Sequence, residues 1–439
     1  MIFLKLFLAY LILVLLIGIS ISKRVKKFED FMVAGRRLSF PLTTFSLMAT
    51  WTGAAAITGY TGWIYGAGFS MIWIAFCTTS ALLFVGLVFA RRLSGLALYT
   101  IPELLLKRYG KGTQRIGALT ITLYCTGMVS AQLLGGAAIL SVVLGWSYES
   151  SILLSSLVII TYTALGGLWA VALTDFFQFF VLGTGLILAI PLTLYKVGGL
   201  SQMLSSLPTE HLDPLTYAPP LQILSWFLII FPSILIDPAI YQRIYASKTP
   251  RIARLSLGFT GIWDFFLTLI TLILGLSAFS LYAGEEVDLA LPTVIKTVFP
   301  EFLGAFILVA ILAAVMSTAD SFLLVGAGTL TKDLLNREGM LKVRVITVVL
   351  GFLAILIALY FSEIMYAVLF SSAVYVAALF IPIMGVFLKF GGPKGAFLSA
   401  IAGGGTAILW RILNLSPDPI IAGILTSAII FLGVSRFEG

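Results

Sequence analysis

Charge is what this sequence has least of. Asp, Glu, Lys and Arg together make up 10% of its 439 residues, where soluble proteins carry about a quarter. A water-soluble globule of this length is excluded on that ground. Cysteine is scarce as well: Cys77 and Cys125 both lie in apolar runs, so no disulfide framework is expected. The one histidine, His211, stands in a polar loop, where a solvated surface role is expected. No zinc-ligand spacing and no phosphate-cradling Walker loop is present, which argues against ATP-driven pumping by this chain. Basic residues exceed acidic ones, 27 to 19, but they form no clustered soluble surface, and nucleic acid is not an expected partner. A reactive group of His, Cys or paired acids near an interface is also missing, so an enzyme is not expected.

What fills the chain instead is apolar sequence, 60% of all residues. Runs of about 20 apolar residues recur along nearly the whole length, each long enough to cross roughly 30 Å of hydrocarbon. The expected fold is an all-α polytopic membrane protein embedded in a lipid bilayer. Thirteen candidate spans lie near 2–22, 40–68, 70–90, 117–144, 148–166, 169–195, 222–241, 256–283, 303–331, 343–361, 364–389, 396–413 and 418–435. The first has Lys5 and a long apolar core followed by basic residues, which reads as an anchor rather than a cleaved signal. If loops alternate between sides and the first residue is outside, 23 of the 27 basic residues fall in inside loops, Arg243 among them. That asymmetry predicts an outside N-terminus and a cytoplasmic C-terminus. Short loops point to a plasma (inner) membrane.

Two candidate spans are interrupted. The second, "FPLTTFSLMATWTGAAAITGYTGWIYGAG", is weakened as a simple helix by Gly53, Gly59 and Gly62. The seventh, "WFLIIFPSILIDPAIYQRIYASK", carries Pro232 and the pair Asp237-Pro238. Proline removes a donor and frees a carbonyl four residues upstream, and freed groups at membrane depth belong beside protein or a wet cavity. Interruptions at spans two and seven mark two five-span units. Each has an odd number of crossings, so the second is inverted relative to the first. The resulting division is 1–39 for the leading helix and loop, 40–198 and 199–390 for the two repeats, and 391–439 for two trailing helices.

The ninth span contains "AAVMSTADS". Ala314, Ser317, Thr318 and Ser321 follow the spacing of one helix face, with Asp320 on its flank. Asp175 lies in the sixth span. Hydroxyls bonding back to their own helix would account for Ser317 and Thr318. They would not account for the carboxylates, each costing about 2.5–3.5 kcal/mol at a span centre on insertion scales. An all-oxygen setting of this kind suits a hard cation.

Four stretches, "RRLSGLALYTIPELLLKRYG", "YTALGGLWAVALTDFFQ", "IDPAIYQRIYASK" and "ILAAVMSTADSFLLVGAGTLTKDLL", resemble the sodium:solute symporter family in content and order. The resemblance implies a leucine-transporter-like inverted five-plus-five repeat with one leading and two trailing helices. It implies sodium as the coupling ion, with no organic cofactor, held by backbone carbonyls of Ala49, Thr52 and Ala314 and by the hydroxyls of Ser317 and Thr318. Some members hold a further sodium, and Asp175, Ser317, Asp320 and Ser321 match that region; one ion or two stays open, since Asp320 replaces a hydroxyl of some two-ion members. The substrate would sit between spans two and seven, with Trp51, Ala55, Ala56 and Gly59 on one wall and Asp237 on another. Asp264 stands where sugar-carrying members have a basic residue, and the third span offers no carboxylate or amide for a sugar ring. The expected function is sodium-coupled import of a small organic solute, an amino acid or a related amine or carboxylate, by a monomer or weak homo-oligomer. A bland reading makes Asp237 a helix cap and places Asp264 in the inner vestibule. A proton-coupled symporter of the same fold and a transporter-like sensor are the rivals; a sensor is expected to carry a cytosolic output domain.

Overall fold

A computed structural model describes all residues except 1, 23, 24, 26, 97, 283, 337, 338, 362 and 439, so Lys23, Arg24, Lys26 and Arg337 of the charge argument lie outside the described residues. The helices that matter here are α1 (Ile2–Ser22), α2 (Phe40–Trp51), α3 (Tyr60–Ala67), α4 (Ile72–Phe84), α5 (Lys111–Leu144) and α6 (Tyr148–Val197). They continue with α7 (Pro220–Leu235), α8 (Pro238–Ala246), α9 (Pro250–Leu281), α10 (Ala290–Val298) and α11 (Glu301–Thr329). The last are α12 (Met340–Tyr360), α13 (Ile364–Leu388), α14 (Pro393–Ile412) and α15 (Pro419–Ser435).

Among the described residues, nine helical segments are long and apolar enough to cross a membrane, and Ile2–Ile17, Tyr148–Thr161 and Pro419–Ser435 are shorter apolar stretches of α1, α6 and α15. The difference from thirteen has local causes. The second candidate span is cut after Trp51, and the part beyond the cut runs on through a sharp corner at Gly68 as one segment, Ala55–Ser94. Candidates 148–166 and 169–195 meet without a loop inside α6, at a kink where Gly167 has φ 68° and ψ 173°. A side chain is barred there twice over: the backbone is left-handed, and an added Cβ would lie 2.6 Å from the Phe31 ring.

Helix α11 is the hub. It packs on α5, α6 and α1, and its residues from Ala310 to Thr329 are buried all round. A helix apolar on every side has to be central, so the polar residues it carries at Ser317, Thr318, Asp320 and Ser321 are carried into the core. Helices α14 and α15 pair with each other and lean on α13 at the periphery. The two interrupted helices are tied at one end by a bridge in which Leu38 N–H donates to Ala246 C=O (3.1 Å) and Lys248 N–H donates to Leu38 C=O (3.0 Å).

His211 is a correction. It is buried, its Nε2 lies 3.3 Å from the Tyr65 carbonyl oxygen, and its ring packs on Phe279. The polar loop folds back over the end of α3, so a polar neighbourhood in sequence did not mean a solvated one.

Candidate functional site

The first interruption opens at Thr52, whose φ of −90° and ψ of 61° end α2. Helix resumes through Ala55–Gly59 in wide, five-residue turns. Backbone groups at the break are met by side chains from other helices. Gln132 Oε1 accepts from Ala54 N–H at 2.8 Å. The Thr318 hydroxyl donates toward the Thr50 carbonyl (2.9 Å) and the Ala314 carbonyl (3.3 Å). Trp263 Nε1 donates to Thr52 Oγ1 at 2.8 Å. Gly53 lets α11 approach this closely, since a Cβ on it would lie 2.4 Å from Thr318 Oγ1 and 2.6 Å from Gln132 Oε1.

The second interruption, at Ile236 and Asp237, is sealed differently. Tyr375 donates its hydroxyl to Ile236 C=O (2.6 Å) and Tyr241 donates to Leu235 C=O (3.0 Å). Asp237 caps α8 by accepting from Ile240 N–H (2.8 Å), and its other oxygen accepts from Tyr124 (3.2 Å). Pro238 takes the first helical position, where its missing N–H costs nothing. The break carbonyls of the seventh helix are thus closed by phenols. Those of the second face a threonine hydroxyl that can rotate.

Between the two interruptions lies a cavity of about 150 Å³, lined by Thr50, Trp51, Ala55, Ala56, Gln132, Asp237, Asp264 and Thr318 among largely apolar neighbours. One enclosed water occupies about 15 Å³ on this measure, so the space suits a small solute. Asp264 is held by three donors: Trp51 Nε1 to Oδ1 (2.7 Å), and the hydroxyls of Thr78 (2.9 Å) and Thr79 (2.5 Å) to Oδ2. Gly59 is not on the wall; it backs onto Ile364 and Met365.

Beside the cavity is a buried polar centre. Asp175 Oδ1 accepts from Ser317 (2.7 Å) and Oδ2 accepts from Ser46 (2.6 Å). Ser321 donates to Ser317 C=O at 2.9 Å and stands 3.3 Å from Asp320 Oδ1. Ala49, Thr52, Ala314, Ser317 and Thr318 are all buried around the first interruption. Of the residues expected around the first ion, Thr318 joins the Ala314 carbonyl to the break through the Thr50 carbonyl, while Ser317 is turned toward Asp175.

The sequence reasoning missed Arg243. Placed among inside-loop cations, it is fully buried on α8 and reaches across into this centre. Nη2 donates to Thr50 Oγ1 (2.6 Å), Ser321 Oγ (2.5 Å) and Asp175 Oδ2 (3.3 Å); Nε donates to Ser46 Oγ (3.1 Å) and Nη1 to Ala239 C=O (3.3 Å). The seventh span does not end at 241. Asp237 and Pro238 restart it, and the new helix is buried throughout. That restart was the signal available.

The profile of the sodium:solute symporter family matches residues 31–403. The chain belongs to this family. Its members are transporters, not enzymes. Over 80% of its length the chain is 28% identical to the high-affinity choline transporter 1 of Drosophila melanogaster, and that match spans 61% of the fly protein. Over 97% of its length it is 27% identical to the osmoregulated proline transporter OpuE of Bacillus subtilis, covering 93% of that protein. In fold it is similar to a Na+-coupled sialic acid symporter solved in a substrate-bound outward-open state, with a TM-score of 0.85 at 20% identity, over 100% of this chain and 98% of that one.

Proposed function

We propose that the protein is a sodium-coupled symporter that imports a small amine-bearing solute across a plasma membrane by alternating access. It would do so with thirteen spans, an outside N-terminus, and inverted repeats over 40–198 and 199–390. The observation that carries the reading is the meeting of Thr318 with the interruption of the second helix, where its hydroxyl lies 2.9 Å from Thr50 C=O and 3.3 Å from Ala314 C=O. A cation entering there turns the hydroxyl's lone pairs inward and takes carbonyls of Ala49, Thr52 and Ala314, with the Ser317 oxygen completing the shell. Such neutral ligands bind sodium weakly enough to release it where sodium is dilute.

The solute class follows from Asp264. Its carboxylate borders a mostly apolar cavity, and no basic side chain pairs with it among the described residues. A buried anion of this kind is costly unless a cation joins it, and an ammonium group on the solute supplies one. Sodium binding links helices α2 and α11 and shapes the cavity. By linkage, ion and solute raise each other's affinity by the same factor.

The test is a thermal-stability screen of purified protein against amino acids, quaternary amines, organic acids, vitamins and sugars, with and without sodium, followed by uptake into proteoliposomes. Sodium-dependent stabilisation by amines, lost in Asp264→Asn, is expected. Uptake indifferent to sodium but driven by a pH gradient would replace the coupling ion. Amine uptake unchanged in Asp264→Asn would remove the solute assignment.

A further inference from the structure

We propose that Trp63, Tyr366 and Glu363 form an entry site for an alkylammonium group at the mouth of the cavity, one helical turn outside the Asp264 pocket. Its chemistry stands on the residues at the mouth; its role as a first stop for the solute rests on the amine reading above. Three helices bring aromatic rings to this point. On α3, Trp63 follows the cavity-lining Tyr60 by three positions; on α7, Trp226 precedes the lining Ile230 by four; on α13, Tyr366 precedes the lining Leu369 by three. Each such step is one helical turn, about 5 Å along the axis. The Trp63 ring lies 6.1 Å from that of Trp226 and 5.7 Å from that of Tyr366, meeting the latter at 69°. An interfacial belt also places Trp and Tyr near helix ends. Belt residues face lipid, however, whereas these rings face one another and Trp226 is only 4% exposed.

The charge at the mouth has one sign. Trp63 Nε1 donates to Glu363 Oε2 at 3.4 Å, which sets a carboxylate at the edge of the indole. Glu363 is partly exposed and has no ion pair among the described residues. Asp288 adjoins it by accepting from Ile364 N–H, and Glu286 stands close enough to act on the same carboxyl. Asp288 Oδ1 is buried with no hydrogen-bond partner among the described residues. Lys296, the basic residue of α10, is engaged by the Val142 carbonyl of α5. A cation against the faces of Trp63 and Tyr366 meets two ring quadrupoles while Glu363 supplies the counter-charge; cation–π contact needs no N–H donor, so a methylated ammonium suits it as well as a primary one. Carboxylates grouped at a concave mouth also raise the local concentration of cations. Helices α2 and α3 run from the Leu38–Ala246 bridge to this mouth, which in the orientation proposed above opens to the outside.

The test is equilibrium dialysis of radiolabelled choline against the purified full-length protein in sodium buffer, with the uncharged isostere dimethylbutanol as competitor. Asp264→Asn removes the inner charge and is the background for every mouth variant. One saturable choline site is expected in Asp264→Asn, and excess dimethylbutanol should not displace it. Adding Glu363→Gln or Trp63→Leu should weaken that site roughly tenfold, whereas Trp63→Phe, which keeps a ring face, should stay within about threefold. Should the Trp63 variants fail to fold, Tyr366→Leu at a half-exposed position decides by the same loss. No saturable site in Asp264→Asn, displacement by dimethylbutanol, or an affinity unmoved by Glu363→Gln would each overturn the entry site and leave the Asp264 reading standing. The reverse split, with the choline site intact but amine stabilisation and uptake unchanged by Asp264→Asn, would remove the inner assignment alone.

Discussion

Nη2 of Arg243 lies 3.3 Å from Oδ2 of Asp175, and neither side chain exposes any surface. Desolvating such a pair costs several kcal/mol per ion, and the cost is recovered only where other hydrogen bonds satisfy both groups. Here they do: Ser46 and Ser317 donate to the carboxylate, while Thr50, Ser321 and Ala239 accept from the guanidinium. Removing one partner leaves the other charged and buried. Asp175→Asn is therefore expected to destabilise by about 3–5 kcal/mol. Combining it with Arg243→Gln should recover part of that loss. Thermal unfolding of the single and double variants in detergent checks the coupling; strictly additive losses would mean that the two groups do not act as a pair.

If sodium binds at the break as proposed, Thr318 bears on the ion rather than on stability. Replacing it by Ala deletes one neutral ligand, worth about 0.5–1.5 kcal/mol. The sodium concentration for half-maximal binding should accordingly rise roughly 2- to 12-fold. Thr318→Ser keeps the oxygen and should stay close to the parent protein. Ser317→Ala should also weaken sodium binding, and it additionally strips Asp175 Oδ1 of its 2.7 Å donor. Sodium titrations of all three variants by intrinsic fluorescence, with Trp263 adjoining the break, provide the measurement. Equal affinities in Thr318→Ala and Thr318→Ser would argue against ligation by this hydroxyl.

At Gly53 the absence of a side chain is what permits the site. A methyl group there would come within 2.4 Å of Thr318 Oγ1 and 2.6 Å of Gln132 Oε1. Gly53→Ala must push α11 or α5 away from the break, at a typical overpacking cost of about 1–3 kcal/mol. Stabilisation by sodium, which follows from binding to the folded state alone, should then vanish even where the variant still folds. A melting temperature that climbs with sodium as steeply as in the parent protein would contradict this.

Much of this was legible in the residues, and the exceptions have physical causes. Apolar run length located most of the helices, and Gly53 and Asp237-Pro238 stand within a residue or two of the interruptions, whereas Gly59, Gly62 and Pro232 lie inside helical turns. The face spacing of Ser317, Thr318 and Ser321 identified the polar side of α11. Arg243 was hidden because a cation near the end of an apolar run looks the same whether it snorkels to the surface or turns inward. What distinguishes the two is a tertiary partner, and Asp175 is 68 positions away in sequence. Asp237 was ambiguous for a related reason. Capping Ile240 and bordering the cavity are compatible roles, and the structure gives it both. His211 misled because burial under a folded-back loop leaves no periodic signature.

Outside the spans, Asp288 predicts how stability responds to pH. It lies in the loop between α9 and α10, where its Oδ2 accepts from Ile364 N–H at 2.8 Å at the start of α13. Burial pushes its carboxyl from an ordinary 3.8 up to about 7; the Ile364 N–H opposes this shift, and the nearby Glu363 and Glu286 carboxylates add to it. The folded state thus holds this proton more tightly than the unfolded chain. From about pH 4 to about pH 7 the folded protein keeps the proton and the unfolded chain has lost it, so stability falls as pH rises, by at most about 1.4 kcal/mol per pH unit. Above about pH 7 both states are ionised and the contribution levels off. Asp288→Asn fixes the neutral form, and its melting temperature should exceed that of the parent protein most at about pH 8 and least at about pH 5. Melting curves of the two proteins that stay parallel across that range would show that Asp288 is already ionised in the folded state.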